Sequence, residues 1–209
     1  MKKKLALMGI AGILVLTAIV GGSLAAINAQ SDTGESIIST KALGIGIYED
    51  GAEPEKTVVT AEKIMPGDTV EKPMCVKNDV DNGYDLYVRV IINKSWGNYD
   101  GSVFDKDFEA DTSAISIYRE SGDWINAYED EEQLVLYYTK PLAAGESSSN
   151  FMDALVISES LGNRYAGMAA QLEVEADAVQ KFAGEDAVSS AWGVEITLDS
   201  DGNITSVTE

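Results

Sequence analysis

The feature that most limits the possible folds is the strict alternation of side chains between residues 168 and 178. One set of positions is apolar: Met168, Ala170, Leu172, Val174, Ala176 and Ala178. The other set is Ala169, Gln171, Glu173, Glu175 and Asp177. A repeat of two puts these sets on opposite faces of a β-strand. The pattern predicts an antiparallel strand with its apolar face in a core and its acidic face in solvent.

Other segments with the same character recur along the chain. They include 43–47, 58–59, 70–76, 84–96, 115–117, 124–128, 134–138, 151–157, 194–198 and 204–207. Turn residues separate most of them, residues 97–111 have the composition of a long loop, and only 185–191 favours a short helix. Many short strands without amphipathic helices between them predict an all-β fold, specifically a jelly-roll-like β-sandwich.

The first 25 residues have the layout of a secretory leader. Three lysines at positions 2–4 precede Leu5–Val20, which carries no charge, and small residues follow. A basic start, an apolar centre and small residues before the cut are the three parts of a signal peptide. The small-x-small pattern of Ser23 and Ala25 predicts that signal peptidase cuts between Ala25 and Ala26.

Two alternatives to this processing stay open. The cut could instead follow Ala26 or Ala29, or the leader could remain uncut as a membrane anchor. Leu5–Ala29 is uncharged, and a helix of about 20 apolar residues crosses a bilayer. We expect membrane contact only through such an uncleaved leader. The predicted organisation is a helical signal peptide at 1–25, an N-terminal extended segment with the first strand at 26–48, and a β-sandwich domain at 49–209.

Charge and residue types exclude several classes of function. The net charge is −20, and loss of the three leader lysines takes it to −23. Such a chain is repelled by phosphate backbones and anionic lipid, so we expect no nucleic-acid partner. The absence of histidine removes Ser/His/Asp triads, Cys/His nucleophile pairs and His-containing zinc sites. We therefore expect no enzyme activity and no cofactor. A hydrolase using carboxylates alone is the remaining catalytic alternative, and no pair stands out for it.

Three smaller features have structural interpretations. The single cysteine, Cys75, cannot form an internal disulfide and is predicted to be a small core residue. The carboxylate run Glu129–Glu132 lacks the spacing of a calcium loop and is predicted to be a charged loop end. Asp199–Asn203 has the composition of a hairpin turn. We expect no metal site at either acidic segment.

Several short segments form a recognisable series along the chain. They are Gly21–Ala26, Lys41–Tyr48, Met65–Val70, Asn78–Ile92, Glu175–Gln180 and Ala191–Gly193. In this order they resemble the TasA/camelysin family, and the chain is similar to members exported through a dedicated signal peptidase of the SipW type. The resemblance implies a jelly-roll sandwich secreted from a Gram-positive-type cell to the cell surface or extracellular matrix. It also implies assembly into biofilm fibres. Camelysin is classed as a surface metalloprotease, an activity that a chain without histidine does not support.

An assembly strand is predicted within the N-terminal segment. Leu43, Ile45 and Ile47 form one face of a strand whose other face is nearly bare. Once the leader is removed, this face could insert beside a sheet edge of a neighbouring subunit, as in donor-strand complementation. Such head-to-tail contacts build filaments when they do not close. The expected partners are signal peptidase during export, then other copies of the chain or related matrix proteins.

Two readings compete with assembly. In the first, residues 43–47 are an ordinary intramolecular strand of a monomer. In the second, the protein is an extracellular binding or adhesion module. Its aromatic side chains in the loop Trp96–Phe108 and near Trp124 and Tyr128 would then bind carbohydrate or a host protein.

Overall fold

The computed structural model describes residues 26–29, 44–49, 58–80 and 83–208. The leader at 1–25, with Ser23 and Ala25, lies outside these residues, as does Leu43. The elements in chain order are β1 Ala26–Ala29, β2 Ile45–Glu49, β3 Val58–Ala61, β4 Thr69–Asn78, β5 Leu86–Tyr99, β6 Phe104–Lys106, β7 Ile115–Tyr118, β8 Trp124–Glu129, β9 Gln133–Tyr138, β10 Met152–Ile157, β11 Ala169–Gln180, α1 Gly184–Trp192, β12 Glu195–Leu198 and β13 Ile204–Thr208.

The described strands form two antiparallel sheets and a separate hairpin. The larger sheet has the order β1-β11-β5-β9-β8, with β3 also paired to β11 and β6 paired to β5. The smaller sheet has the order β2-β4-β10-β7, and β12 pairs with β13. The longest pairing joins β5 and β11 over twelve residues, from Leu86 opposite Gln180 to Gly97 opposite Ala169. The prediction of an all-β fold is confirmed.

The main core lies between the two sheets. Val88, Val90 and Ile92 of β5 belong to one buried cluster with Met74 and Val76 of β4. The apolar face of β11 enters the same cluster, as its alternation predicts. Burying large apolar side chains is worth roughly 1.5–3 kcal/mol each. This cluster gives the molecule its sandwich character.

A second cluster covers the outer face of the larger sheet. Tyr87 and Tyr137 of the sheet pack there against Val188 and Trp192 of α1 and Ile196 of β12. The short helix and the C-terminal hairpin were both predicted, but their position over the sheet was not. We refer to α1, β12 and β13 together as the cover.

The cover corrects the prediction that the acidic face of β11 lies in solvent. Glu173 is exposed, but Asp177 is only 4 % exposed. The carboxylate of Asp177 accepts hydrogen bonds from Arg89 on β5, and the guanidinium of Arg89 lies 5.2 Å from the centre of the Trp192 ring. Burial of the Asp177 carboxylate is tolerated because it is paired with the Arg89 guanidinium.

The prediction of a long loop at residues 97–111 was wrong for 97–99 and 104–106, which are in strands. Strand β5 continues to Tyr99 and pairs with β6, with Gly97 opposite Lys106. The Asp100 carboxylate closes the connecting turn by accepting the N–H groups of Ser102 and Val103 at 2.9 and 2.8 Å. The sequence pattern did not indicate this hairpin, because turn-forming residues lie close to the ends of its short strands.

No helix in the part of the chain that the structure describes is both long and apolar enough to cross a membrane.

Candidate functional site

The first strand of the smaller sheet contains two of the predicted assembly residues. Strand β2 pairs with β4 from Ile45 opposite Asn78 to Glu49 opposite Met74. Ile45 and Ile47 are buried in the main core of their own chain. The structure therefore places them in an edge strand of the smaller sheet, with its apolar face directed into the core of the same chain.

The outer face of β2 is held by polar and aromatic contacts. The Tyr48 hydroxyl donates to Asp79 at 2.7 Å, and Lys77 Nζ lies 5.2 Å from the centre of the Tyr48 ring. A Cβ on Gly46 would approach Asp79 Oδ2 to 2.6 Å and the Tyr48 ring to 2.7 Å. The bare face predicted at Gly46 is therefore filled by side chains of the same chain.

A second N-terminal strand lies on the larger sheet. Strand β1 pairs with β11 from Ala26 opposite Val179 to Ala29 opposite Ala176. Strand β3 pairs with the preceding part of β11, from Ala61 opposite Ala170 to Val58 opposite Glu173. Strands β1 and β3 thus occupy the same edge end to end, and β1 also contacts β2. Ala26, the first residue after the predicted cut, is the first residue of β1.

The edge strands on the other side of the sandwich have features that hinder pairing with a further strand. Strand β7 ends the smaller sheet there, and β8 ends the larger one. The Arg119 guanidinium donates to the Asn126 side chain and to the Trp124 carbonyl oxygen. The β8–β9 register shifts between Asn126 and Tyr128. Charged side chains and bulges are devices that discourage strand addition at an edge, and both are present on this side.

The aromatic residues predicted for a binding module separate into two groups. Trp96 and Trp124 are buried in the main core, where Trp124 contacts the rings of Tyr138 and Phe151. Phe108 is 82 % exposed and Tyr128 is 40 % exposed. Of these four side chains, only Phe108 and Tyr128 are accessible to a ligand.

The acidic segments form turns. Asp130 accepts the backbone N–H groups of Glu132 and Gln133 at 2.9 and 2.6 Å. The Tyr128 hydroxyl, followed by the Gln133 N–H, lowers the pKa of the Asp130 carboxyl below its usual value. Asp199 closes the β12–β13 turn, and the backbone N–H of Asn203 is the main cause of its lowered pKa. Among the described residues, no group of three or more His, Cys, Asp or Glu could hold a metal ion.

Cys75 does not face the core as predicted. Its neighbours Met74 and Val76 point inward, so the thiol lies half-buried on the outer face of the smaller sheet, opposite Tyr48. Burial raises the pKa of the thiol, and a hydrogen bond with Ser147 partly offsets this rise. The strand period was correct, but the face was assigned wrongly.

Comparison with known proteins adds no identity: no family model, curated protein or solved structure matches the chain.

Proposed function

We propose that the chain is a secreted structural protein of the extracellular matrix, with a jelly-roll-like sandwich that assembles into biofilm fibres by exchange of residues 26–48. The observation that carries this proposal is that the N-terminal segment supplies an edge strand to each sheet, β1 on β11 and β2 on β4. Donation of the segment would leave both acceptor edges open for the segment of another copy. The proposal includes no catalytic role and no cofactor.

Exchange would reuse the contacts of the closed monomer. The β2–β4 pairing and the Lys72–Glu49 ion pair at 2.7 Å would form between copies instead of within one. The balance between the closed monomer and the exchanged assembly then depends on protein concentration and on the length of the connecting segment. Residues 50–57 separate β2 from β3, and eight residues span at most about 26–29 Å. A neighbouring acceptor edge must lie within this distance if β2 is exchanged.

Charge would control growth of the assembly. Copies that each carry a net charge near −23 after loss of the leader lysines repel one another. Screening shortens this repulsion, because the Debye length falls from about 10 Å at 0.1 M salt to about 3 Å at 1 M. We expect assembly to increase with ionic strength.

The test uses the mature chain, residues 26–209. Light scattering and electron microscopy over a salt series should show fibres, and a chain lacking 26–48 should not form them. In parallel, Tyr48→Cys places a thiol opposite the native Cys75, within the range of cross-strand neighbours. Oxidation should then link different copies into a ladder on a non-reducing gel.

The control for this experiment is Tyr48→Cys combined with Cys75→Ser, which leaves no thiol on β4 and should give no ladder. The assembly role would be removed by a mature Tyr48→Cys chain that is monomeric at every salt and protein concentration, with every disulfide between position 48 and Cys75 formed within one copy.

Export is tested separately through the leader. We expect N-terminal sequencing of the secreted protein to begin at Ala26, and to require a SipW-type signal peptidase in the producing cell. Ala25→Leu should block the cut, since the residue before it must be small. Secretion of an unaltered mature N-terminus from the Ala25→Leu chain would contradict this site.

An extracellular binding module is the second candidate. Exposed Phe108 at the end of the β5–β6 hairpin, with Lys106 Nζ 5.3 Å from its ring centre, is the observation that favours it. A glycan and host-protein screen tests this role. The second candidate would be favoured over the first by two results together. The unaltered chain would bind a ligand without assembling, and the Phe108→Ser chain would not bind it.

A further inference from the structure

A small cavity lies between the outer face of the larger sheet and its cover. Its volume is about 170 Å³. Arg89, Tyr128, Val135 and Tyr137 line it from the sheet, and Trp192 and Val207 line it from the cover. The assembly proposal uses none of these side chains, so the cavity calls for a separate explanation.

The charged group in this cavity is held in place and locally balanced. Asp177 accepts hydrogen bonds from Arg89, and the Trp192 ring lies against the guanidinium with its centre 5.2 Å away. Trp192 also makes an edge contact with Tyr137, with the ring centres 5.4 Å apart. The planar guanidinium of Arg89 is thus fixed in orientation by Asp177 and Trp192. Such a group stacks on aromatic faces.

Size and chemistry together limit the ligand. A dry engineered cavity of about 150 Å³ accepts benzene, so a cavity of about 170 Å³ has room for one ring. An anion is disfavoured, because Asp177 already neutralises Arg89 and the chain carries a net charge of −20. We propose that this cavity binds a single, uncharged aromatic ring, and phenol is a water-soluble probe of this class.

Trp192 borders the cavity with its ring, which is fixed by the contacts with Arg89 and Tyr137. Its indole N–H is buried and has no hydrogen-bond partner among the described residues. Because this nitrogen has almost no accessible surface, we expect a bound ring to contact the Trp192 ring without a hydrogen bond to its N–H.

The test follows the three indole N–H signals of the mature protein by NMR. Trp96, Trp124 and Trp192 are the three tryptophans, and Trp192→Phe identifies the relevant signal. Phenol should shift the Trp192 signal saturably and leave the Trp96 and Trp124 signals in place. Cyclohexanol has a similar size and the same hydroxyl but no π face, and benzoate adds a negative charge. Phenol should bind at least about fivefold more tightly than either.

Val207→Trp should fill the cavity and abolish the phenol shift. Its matched control is Ser206→Trp, at an exposed neighbouring position on the same strand, which should bind phenol as the unaltered chain does. Equal affinity for phenol and cyclohexanol, tighter binding of benzoate, or an unchanged phenol shift in a folded Val207→Trp chain would each overturn the proposal. The ligand series needs only the unaltered chain, so a folding failure of one variant does not affect it.

The ring could come from a free molecule or from another copy, since Phe182 is 91 % exposed. In the second case the Trp192 signal should shift as the protein is concentrated, phenol should compete, and Phe182→Ser should remove the concentration dependence. In the first case the signal should be independent of protein concentration. Both results support a ring-binding cavity and identify its source.

Discussion

Arg89 and Asp177 face each other across β5 and β11, and Arg89 Nε donates to Asp177 Oδ2 at 3.0 Å. The pair joins the two longest strands of the larger sheet and supports Trp192 of the cover above it. Arg89 therefore connects the sheet to the cover, because its guanidinium pairs with Asp177 and also contacts the Trp192 ring.

Asp177→Ala should therefore lower the free energy of unfolding by about 3–5 kcal/mol, because it leaves a largely buried guanidinium without its partner. Chemical denaturation followed by tryptophan fluorescence measures the change. Replacing both partners, as in Arg89→Met with Asp177→Leu, should restore most of the loss, because neither charge is then buried. A loss below about 1 kcal/mol in Asp177→Ala would show that solvent reaches Arg89 freely.

Leu172 tests the main core. It is fully buried on the inner face of β11, so Leu172→Ala should reduce the free energy of unfolding by about 2–5 kcal/mol through lost burial and a residual cavity. Leu172→Asp should prevent folding or secretion, since it places an unpaired charge in the core. The adjacent change Glu173→Ala, on an exposed side chain, should stay within about 0.5 kcal/mol. Similar losses at both positions would contradict the assigned faces.

The Asp130 turn should depend on pH. The hydroxyl of Tyr128 and the N–H of Gln133 lower the pKa of Asp130 in the folded state. The resulting stabilisation is present above the unfolded pKa of about 3.9 and is lost as the pH falls through the lower folded value. Asp130→Ala should destabilise the protein at pH 7, and its difference from the unaltered chain should shrink below about pH 4.

Denaturation of both chains over a pH series measures this difference. Glu131→Ala removes one negative charge from the same turn and controls for the overall charge. If the Asp130→Ala and Glu131→Ala curves are parallel at every pH, the hydrogen bonds of Asp130 do not stabilise the turn.

Cys75 should report on the attachment of β2. Burial raises the pKa of its thiol, so only a small fraction is thiolate at pH 7 and alkylation should be slow in the folded protein. Tyr48→Ala removes the hydrogen bond to Asp79 and the contact with Lys77 that hold the opposite strand. We expect it to accelerate alkylation of Cys75, measured by mass spectrometry. Tyr118→Ala, on an exposed side chain of the far edge strand β7, should leave the rate unchanged.

Local sequence patterns predicted the strand content because side chains repeat every second residue in a strand. The alternation at 168–178 corresponds to β11, and the segment 84–96 corresponds to most of β5. The Asp199 turn and the helix ending at Trp192 followed equally local rules, since turn and helix hydrogen bonds join residues close in the chain.

Contacts between distant segments were not predictable in this way. The period of two showed that Cys75 and Asp177 lie on the opposite face of the strand from their neighbours. It could not show what covers that face. Asp177 is buried because α1 and the hairpin fold back over the sheet, and Cys75 is half-exposed because its inward neighbours are Met74 and Val76. The cavity beneath Trp192 has no signal in the sequence at all, because its walls come from β5, β8, β9 and the cover.

The sequence by itself determined an acidic, histidine-free chain of alternating strands with a leader-like beginning, since these properties depend on residue type and near-neighbour spacing. The tertiary structure alone decided that β1 and β2 close the same side of the sandwich and that Arg89 meets Asp177 beneath Trp192. Strand pairing and face covering depend on contacts between segments up to more than one hundred residues apart, such as the Tyr87 hydroxyl with the Gly202 carbonyl oxygen, 115 positions along the chain. Spacing within a single segment carries no information about those partners.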